Sequence, residues 1–220
     1  MKPCFSVRNS LLSGDLPHKA FQNALIEARR FLESVTVTEL LEFFFSEAEN
    51  RRTVITAVRD LLHVGFIAPE GELPLNDMIE AALLAGLEPE GIPQTSTVVA
   101  RELGVLVGRD TIQTTIFTAH CSAGCFKPGY VEVFLPVAYG LMRRKWIDEE
   151  ICTHCGFTLV DDTVLPLVHK TFLEEGFVVP SFFCGRPIAN PDKKIAVIYY
   201  DQLRNGRIFR IEILSPNYGS

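Results

Sequence analysis

The sequence predicts an α+β protein, with a helical N-terminal half in winged-helix-like order and a mixed C-terminal half that ends in a β-hairpin. Three observations carry this. Apolar residues recur at helical spacing from Phe21 to Leu62. Runs rich in β-branched and aromatic residues dominate after Asp110. Asn205-Gly206 separates two such runs, and this dipeptide is a strong signal for a two-residue hairpin turn.

The elements follow in order. Asp15-Leu16-Pro17 opens a first helix, because Asp caps and Pro is tolerated in the first turn. Phe21, Leu25, Ala28 and Leu32 form its apolar stripe. A second helix follows Thr36 or Thr38 and carries Leu40, Leu41, Phe44 and Phe45. A third is expected from Arg51 to His63, with Val54, Ile55, Val58, Leu61 and Leu62 inward and Gly65 beyond its end. Phe66-Ile67-Ala68 then reads as a short strand before Pro69. Three helices, a strand and a turn fit a winged helix, and equally an ordinary helical bundle.

A further helix spans about Asn76 to Gly86, and Glu88-Pro89-Glu90-Gly91-Ile92-Pro93 breaks the pattern. This breaker divides the chain into a helical domain, 1–90, and an α+β cysteine-containing domain, 91–220. In the second domain, helices are expected at Thr95–Val107, Val133–Trp146 and Leu165–Glu175, and a strand at Thr111–Ala119. Gly176-Phe177-Val178-Val179-Pro180 echoes Gly65-Phe66-Ile67-Ala68-Pro69, a short hint of duplication. The closing hairpin pairs Ile195–Asp201 with Arg207–Leu214. In the second run Phe209, Ile211 and Ile213 share one face, while Arg210 and Glu212 share the other.

With 47% hydrophobic and 22% charged residues, the chain is not of the disordered class. A formal net charge of −6 disfavours nonspecific nucleic-acid binding, which needs cations against phosphate. No apolar run is long enough to span a membrane, and Met1-Lys2-Pro3-Cys4 does not begin like a signal peptide, so a cytoplasmic protein is expected.

The six cysteines concentrate the chemical interest. Four of them, Cys121, Cys125, Cys152 and Cys155, fall in one short stretch. Paired as Cys-x3-Cys and Cys-x2-Cys, they are candidate ligands for a structural zinc ion, since tetrahedral zinc takes four thiolate or imidazole donors. Cys152-Thr153-His154-Cys155-Gly156 has the form of a zinc knuckle, and His120 and His154 are spare ligands. A plainer reading stands beside this, in which the thiols pack as small hydrophobes.

The string His120-Cys121-Ser122-Ala123-Gly124-Cys125-Phe126-Lys127-Pro128-Gly129 resembles the signature loop of protein tyrosine phosphatases. That resemblance implies a strand feeding a phosphate-binding loop and then a helix. Cys121 would be the thiolate nucleophile, Ser122, Ala123, Gly124 and Lys127 the phosphate cradle, and Glu90 the general acid. Lys127 stands where the family has Arg, and Pro128 where it has Ser or Thr.

Other groups read as structural. His18, His63 and His169 are isolated along the chain, Asp161-Asp162 fits a helix cap, and Arg143-Arg144-Lys145 fits a solvated helix end. No Walker loop, GxGxxG, HExxH or GxSxG motif occurs. The leading functional expectation is therefore a non-enzymatic interaction or regulatory protein with a protein partner, steadied by zinc. The alternatives are a thiolate enzyme or phosphate binder at Cys121, and a winged-helix DNA-binding regulator using Arg51 and Arg52.

Overall fold

The computed structural model describes residues 5–69, 71, 73–121, 129–137, 140–186, 194–204 and 206–215. Their elements in chain order are α1 (Arg8–Leu11), α2 (Pro17–Ser34), α3 (Val37–Phe44), α4 (Ala48–Ala57), β1 (Val58–Ile67), α5 (Leu75–Leu84), β2 (Leu87–Pro89), β3 (Gln94–Thr95) and α6 (Thr97–Leu106). β4 (Thr114–Cys121), β5 (Tyr130–Pro136), α7 (Gly140–Asp148) and β6 (His154–Leu159) follow. After a 3-10 turn at Asp162–Val164 come α8 (Leu165–Glu174), β7 (Phe182–Gly185), β8 (Ile195–Arg204) and β9 (Arg207–Ser215). The α+β class holds. No described helix is long and apolar enough to cross a membrane.

Local chemistry explains the boundaries. The Thr36 hydroxyl accepts from the Glu39 N–H at 3.2 Å, and the Glu39 carboxylate accepts from the Thr36 N–H at 2.9 Å. This capping box starts α3 where the sequence places it. Ser96 caps α6 with the first half of this arrangement only, its hydroxyl accepting from the Val99 N–H. The buried stripe of α2 includes Phe21, Leu25, Ala28 and Leu32.

Two expected helices are corrected. Val58 to His63 does not extend α4, which ends at Ala57; it belongs to the ten-residue strand β1. The N-terminal half is thus not a winged helix. Likewise Val133 to Trp146 is not one helix. Its first part is strand β5, paired on both sides, and α7 begins only after Pro136. Proline lacks an N–H and disfavours helical geometry in the residue before it, so it fits the strand end better than a helix interior.

The chain divides into two compact units. One comprises Phe5–Ser34 and His63–Thr153. Its strands lie in the order β2-β4-β5-β1, antiparallel except for the parallel pair β5 and β1, with β3 also pairing β4. Helix α2 covers one face of this sheet, where Phe21 meets Phe117 edge-on at 6.1 Å. The other unit comprises the described residues of Val35–Leu62 and His154–Ser220. Its order is β7-β8-β9-β6, again antiparallel except for the last pair. Phe172 of α8 stacks on Tyr200 at 4.2 Å, and Phe45 meets Phe172 edge-on at 5.0 Å.

Both units therefore carry the same motif: strand, helix, then three strands, the last returning beside the first in parallel. β1-α5-β2-β4-β5 corresponds to β6-α8-β7-β8-β9, with β3 and α6 inserted in the former. The sequence repeat that marks this is His63-Val64-Gly65-Phe66 against His154-Cys155-Gly156-Phe157, together with Val131-Glu132-Val133 against Ile211-Glu212-Ile213. The Gly176-Phe177 echo is not part of it; there Val178 makes only an isolated bridge to Asp201. The closing hairpin forms as expected, and Gly206 takes φ +74°, which its turn position needs.

Candidate metal centre

Side chains alternate across a strand, so each parallel pair presents one apolar and one polar face. In the first unit Val64, Phe66, Val131 and Val133 are fully buried on the helix-covered side. His63 and Glu132 lie on the other. The register sets His63 opposite Tyr130, and Gly65 opposite Glu132. With no side chain at Gly65, the imidazole of His63 and the carboxylate of Glu132 lean toward the same space. Their Nε2 and Oε2 atoms are 3.8 Å apart.

The second unit repeats this residue for residue. Cys155, Phe157, Ile211 and Ile213 are buried on the helix-covered side. His154 stands opposite Arg210, and Gly156 opposite Glu212. His154 Nε2 is 3.3 Å from Glu212 Oε2. The two histidine side chains are 1% exposed, Glu212 6% and Glu132 18%. One ligand atom from each of His63, Glu132, His154 and Glu212 lies within 4.8 Å of every other.

Aromatic and charged neighbours fix these groups. Tyr130 stacks on His63 with ring centroids 4.8 Å apart, and Tyr199 meets His154 edge-on at 5.6 Å. The Arg210 guanidinium lies over Tyr199, 5.2 Å from its centroid, and forks onto buried Asp201 at 2.7 and 2.8 Å. That bidentate pairing balances the charge of Asp201.

Two carboxylates at such separation, one buried and one partly so, repel. At an effective dielectric of about 20, two unit charges 4.8 Å apart cost about 3.5 kcal/mol. A divalent cation removes that cost, and two imidazoles with two carboxylates form a donor set suited to first-row divalent metals. The residues present fit such an ion.

The expected site residues that the structure describes are not among these four. Cys121 ends β4, and its N–H donates to the Gly129 carbonyl at 2.8 Å. The next described element is strand β5. Ser122, Ala123, Gly124, Cys125 and Lys127 lie outside the described residues. Glu90 is bonded to His120 at 2.7 Å. Cys152 is buried in a turn with φ +61°, and Cys155 points to the face of β6 opposite His154. Among the described residues, the ligand atoms that converge belong to His63, Glu132, His154 and Glu212, not to cysteines. Along the chain His63 is isolated, His154 stands out only as a spare partner of the cysteines, and nothing local marks Glu132 or Glu212 as ligands. The repeated His-x-Gly-Phe and the two β-branched-Glu-β-branched triplets were the signal that could have found them.

No protein-family profile matches the sequence, and no curated protein does. Among solved structures, the chain is similar to a variant of 4-hydroxymandelate synthase from Streptomyces coelicolor. The TM-score is 0.46 and the identity 11%, over 73% of this chain and 48% of that one. It is also similar to variants of methylmalonyl-CoA epimerase from the same organism, in complex with 2-nitronate-propionyl-CoA. There the TM-score is 0.39 and the identity 12%, over 74% of this chain and 100% of that one. The chain thus spans about half the length of the synthase.

Fold and side chains together define a class: a duplicated β-α-β-β-β protein with a buried two-histidine, two-glutamate cluster able to hold a metal. The expectation of a non-enzymatic interaction or regulatory protein is corrected accordingly. The convergent donors are imidazoles and carboxylates, not the thiolates of a structural zinc site. The winged-helix regulator falls because β1 occupies the end of the expected third helix.

Proposed function

We propose that this protein is a metal-dependent enzyme whose divalent cation is held by His63, Glu132, His154 and Glu212. The observation that carries the proposal is the convergence of one ligand atom from each residue within 4.8 Å, in a setting where both imidazoles are buried. Structural zinc sites close their coordination, usually with thiolates, whereas mixed imidazole and carboxylate sets accompany open coordination positions. When bound, the ion supplies a Lewis acid for oxygen atoms of a small ligand. The chain's own contribution is orientation. Gly65 and Gly156 leave room for the donors, Tyr130 and Tyr199 hold the imidazole planes, and the Arg210–Asp201 pair buttresses Tyr199.

The test is metal binding by the chelator-stripped chain. Titration with Co²⁺, followed by calorimetry and visible absorption, is expected to give about one ion per chain, and His154→Ala to weaken binding on the order of 100-fold. Water-proton relaxation of the Mn²⁺-loaded protein then separates an open site, with exchangeable water, from a closed structural one. Failure of the wild-type chain to take up metal, or unchanged affinity in His154→Ala, overturns the proposal.

A further inference from the structure

The three consecutive cations of α7 do three different things. Arg143 donates to the carbonyls of Pro69 at 3.0 Å, Gly71 at 3.2 Å and Pro136 at 2.5 Å. Lys145 pairs with Glu149, one helical turn on, at 3.8 Å. Arg144 has no partner among the described residues and lines a cavity of about 230 Å³.

This cavity lies wholly within the first unit, between the α1–α2 connection, the end of β1 and α7. Buried Leu11, Ala20 and Ile147, together with Pro17 and Pro69, give it apolar walls. Its frame is held on two sides. Arg143 ties Pro69 and Gly71 to α7, and a Cβ on Gly71 would come within 2.8 Å of the Pro17 ring, so the Gly71 backbone lies directly against the start of α2. Arg8 pairs with Asp148, which ties α1 to α7.

The second charged group on the cavity is Asp15. Its Oδ2 accepts from the Ser13 hydroxyl at 3.0 Å. No ion pair joins Asp15 to Arg144 among the described residues. Opposite charges that share a small cavity without neutralising each other favour a ligand that carries both signs. A simple anion is attracted by Arg144 and repelled by Asp15, and a simple cation meets the reverse. A zwitterion satisfies both. The planar guanidinium matches a carboxylate, and the Asp15 carboxylate accepts from an ammonium. Clefts for drug-sized ligands hold about 300–1,000 Å³, so the ligand here is smaller than that class. The apolar walls gain free energy by covering a hydrocarbon group.

We infer that this cavity binds a free α-amino acid with an apolar side chain. Its carboxylate sits on Arg144, its ammonium on Asp15, and its side chain against Leu11, Ala20 and Ile147. None of these residues belongs to the His63, Glu132, His154 and Glu212 cluster, so the inference stands independently of the metal centre.

Equilibrium dialysis against radiolabelled L-leucine, L-methionine and L-phenylalanine tests it. Chelator is present throughout, so that coordination of a metal by the amino acid contributes nothing. At least one of the three is expected to bind saturably, at about one molecule per chain. Arg144→Gln and Asp15→Asn are each expected to weaken that binding by about tenfold or more, the loss of one charge-assisted contact. Both residues are exposed, so both variants are expected to keep the wild-type urea midpoint. A second arm leaves the protein unaltered and changes the ligand. Isovalerate has the anion without the ammonium, and isoamylamine the cation without the carboxylate. Each is expected to compete with L-leucine at least about tenfold more weakly than unlabelled L-leucine does. Absence of saturable binding by all three amino acids overturns the inference. So does binding that both substitutions leave unchanged, which places the amino acid elsewhere. Isovalerate or isoamylamine competing as well as L-leucine overturns the zwitterion and leaves a site for a single charge.

Discussion

Replacing Glu212 with Gln separates two accounts of the buried cluster by the sign of its effect. In the metal-centre account, the metal-free chain at pH 8 holds two carboxylates whose oxygens lie within 4.8 Å, with the two imidazoles beside them. Removing one charge relieves about 3.5 kcal/mol of repulsion at an effective dielectric of about 20. It also weakens charge-assisted hydrogen bonding to Glu212, a loss of about 1.5–3 kcal/mol. The net expectation for Glu212→Gln in chelator is a stability between unchanged and about 2 kcal/mol above wild type, because the first effect exceeds the second. In the rival account, the cluster is two closed histidine–glutamate pairs that hold no metal. Glu212→Gln then removes the charged partner of buried His154 and destabilises by about 3–5 kcal/mol. Urea denaturation at pH 8 in chelator measures the difference directly. Co²⁺ binding supplies the second arm, with affinity expected to fall on the order of 100-fold in the variant. A destabilised metal-free variant whose Co²⁺ affinity matches wild type refutes the reasoning.

Two further outcomes test the scaffold. Gly104→Ala is expected to lower stability by about 1–3 kcal/mol, measured by urea denaturation, because a Cβ there meets the Thr111 backbone at 2.7 Å, where nothing flexible can yield. Burial pushes the Glu175 carboxyl up, but the Glu47 N–H, the Ser46 hydroxyl and the Asn50 amide donate to it and together hold it below the usual glutamate range. Its folded value being depressed, its contribution is present above the ordinary glutamate value of about 4.3 and is lost as pH falls through the folded value. Wild-type stability is therefore expected to drop more steeply than that of Glu175→Gln below about pH 4.3, and parallel pH profiles contradict this.

The helices were legible where one local signal sufficed. Thr36 with Glu39, Ser96, and the stripe of Phe21, Leu25, Ala28 and Leu32 each state a boundary or a face within a few residues. The strands that carry the candidate centre were not legible in that way, for a physical reason. β1 and β5 are covered on the helix side and largely buried on the polar side, so their sequences lack the strict alternation of a half-exposed strand. Val58-Arg59-Asp60-Leu61-Leu62 then satisfies helical spacing from Val54 onward as well as it satisfies a strand, and nothing local shows that it runs on into His63–Ile67, which pair in parallel with β5, distant in sequence.

The ligands were hidden by the same long range. Nothing local links His63 to Glu132; the link is a parallel register, and the insertion of β3 and α6 makes the His-to-Glu spacing differ between the two units. No fixed period survives, and what remains is a pair of short echoes, His-x-Gly-Phe and a glutamate between β-branched residues. Their meaning comes from the pleat. The residues flanking each glutamate must be apolar because they face the helices, the glutamate between them must then face away, and the glycine opposite must lack a side chain for imidazole and carboxylate to converge. The cysteines drew attention because two thiols at short spacing advertise a metal locally. Cys155, however, shares its face of β6 with Phe157 and is core by the same alternation that turns His154 toward Glu212. For this fold the informative unit of sequence is one strand position and its partner three strands later in the motif, not a cluster of residues close together along the chain.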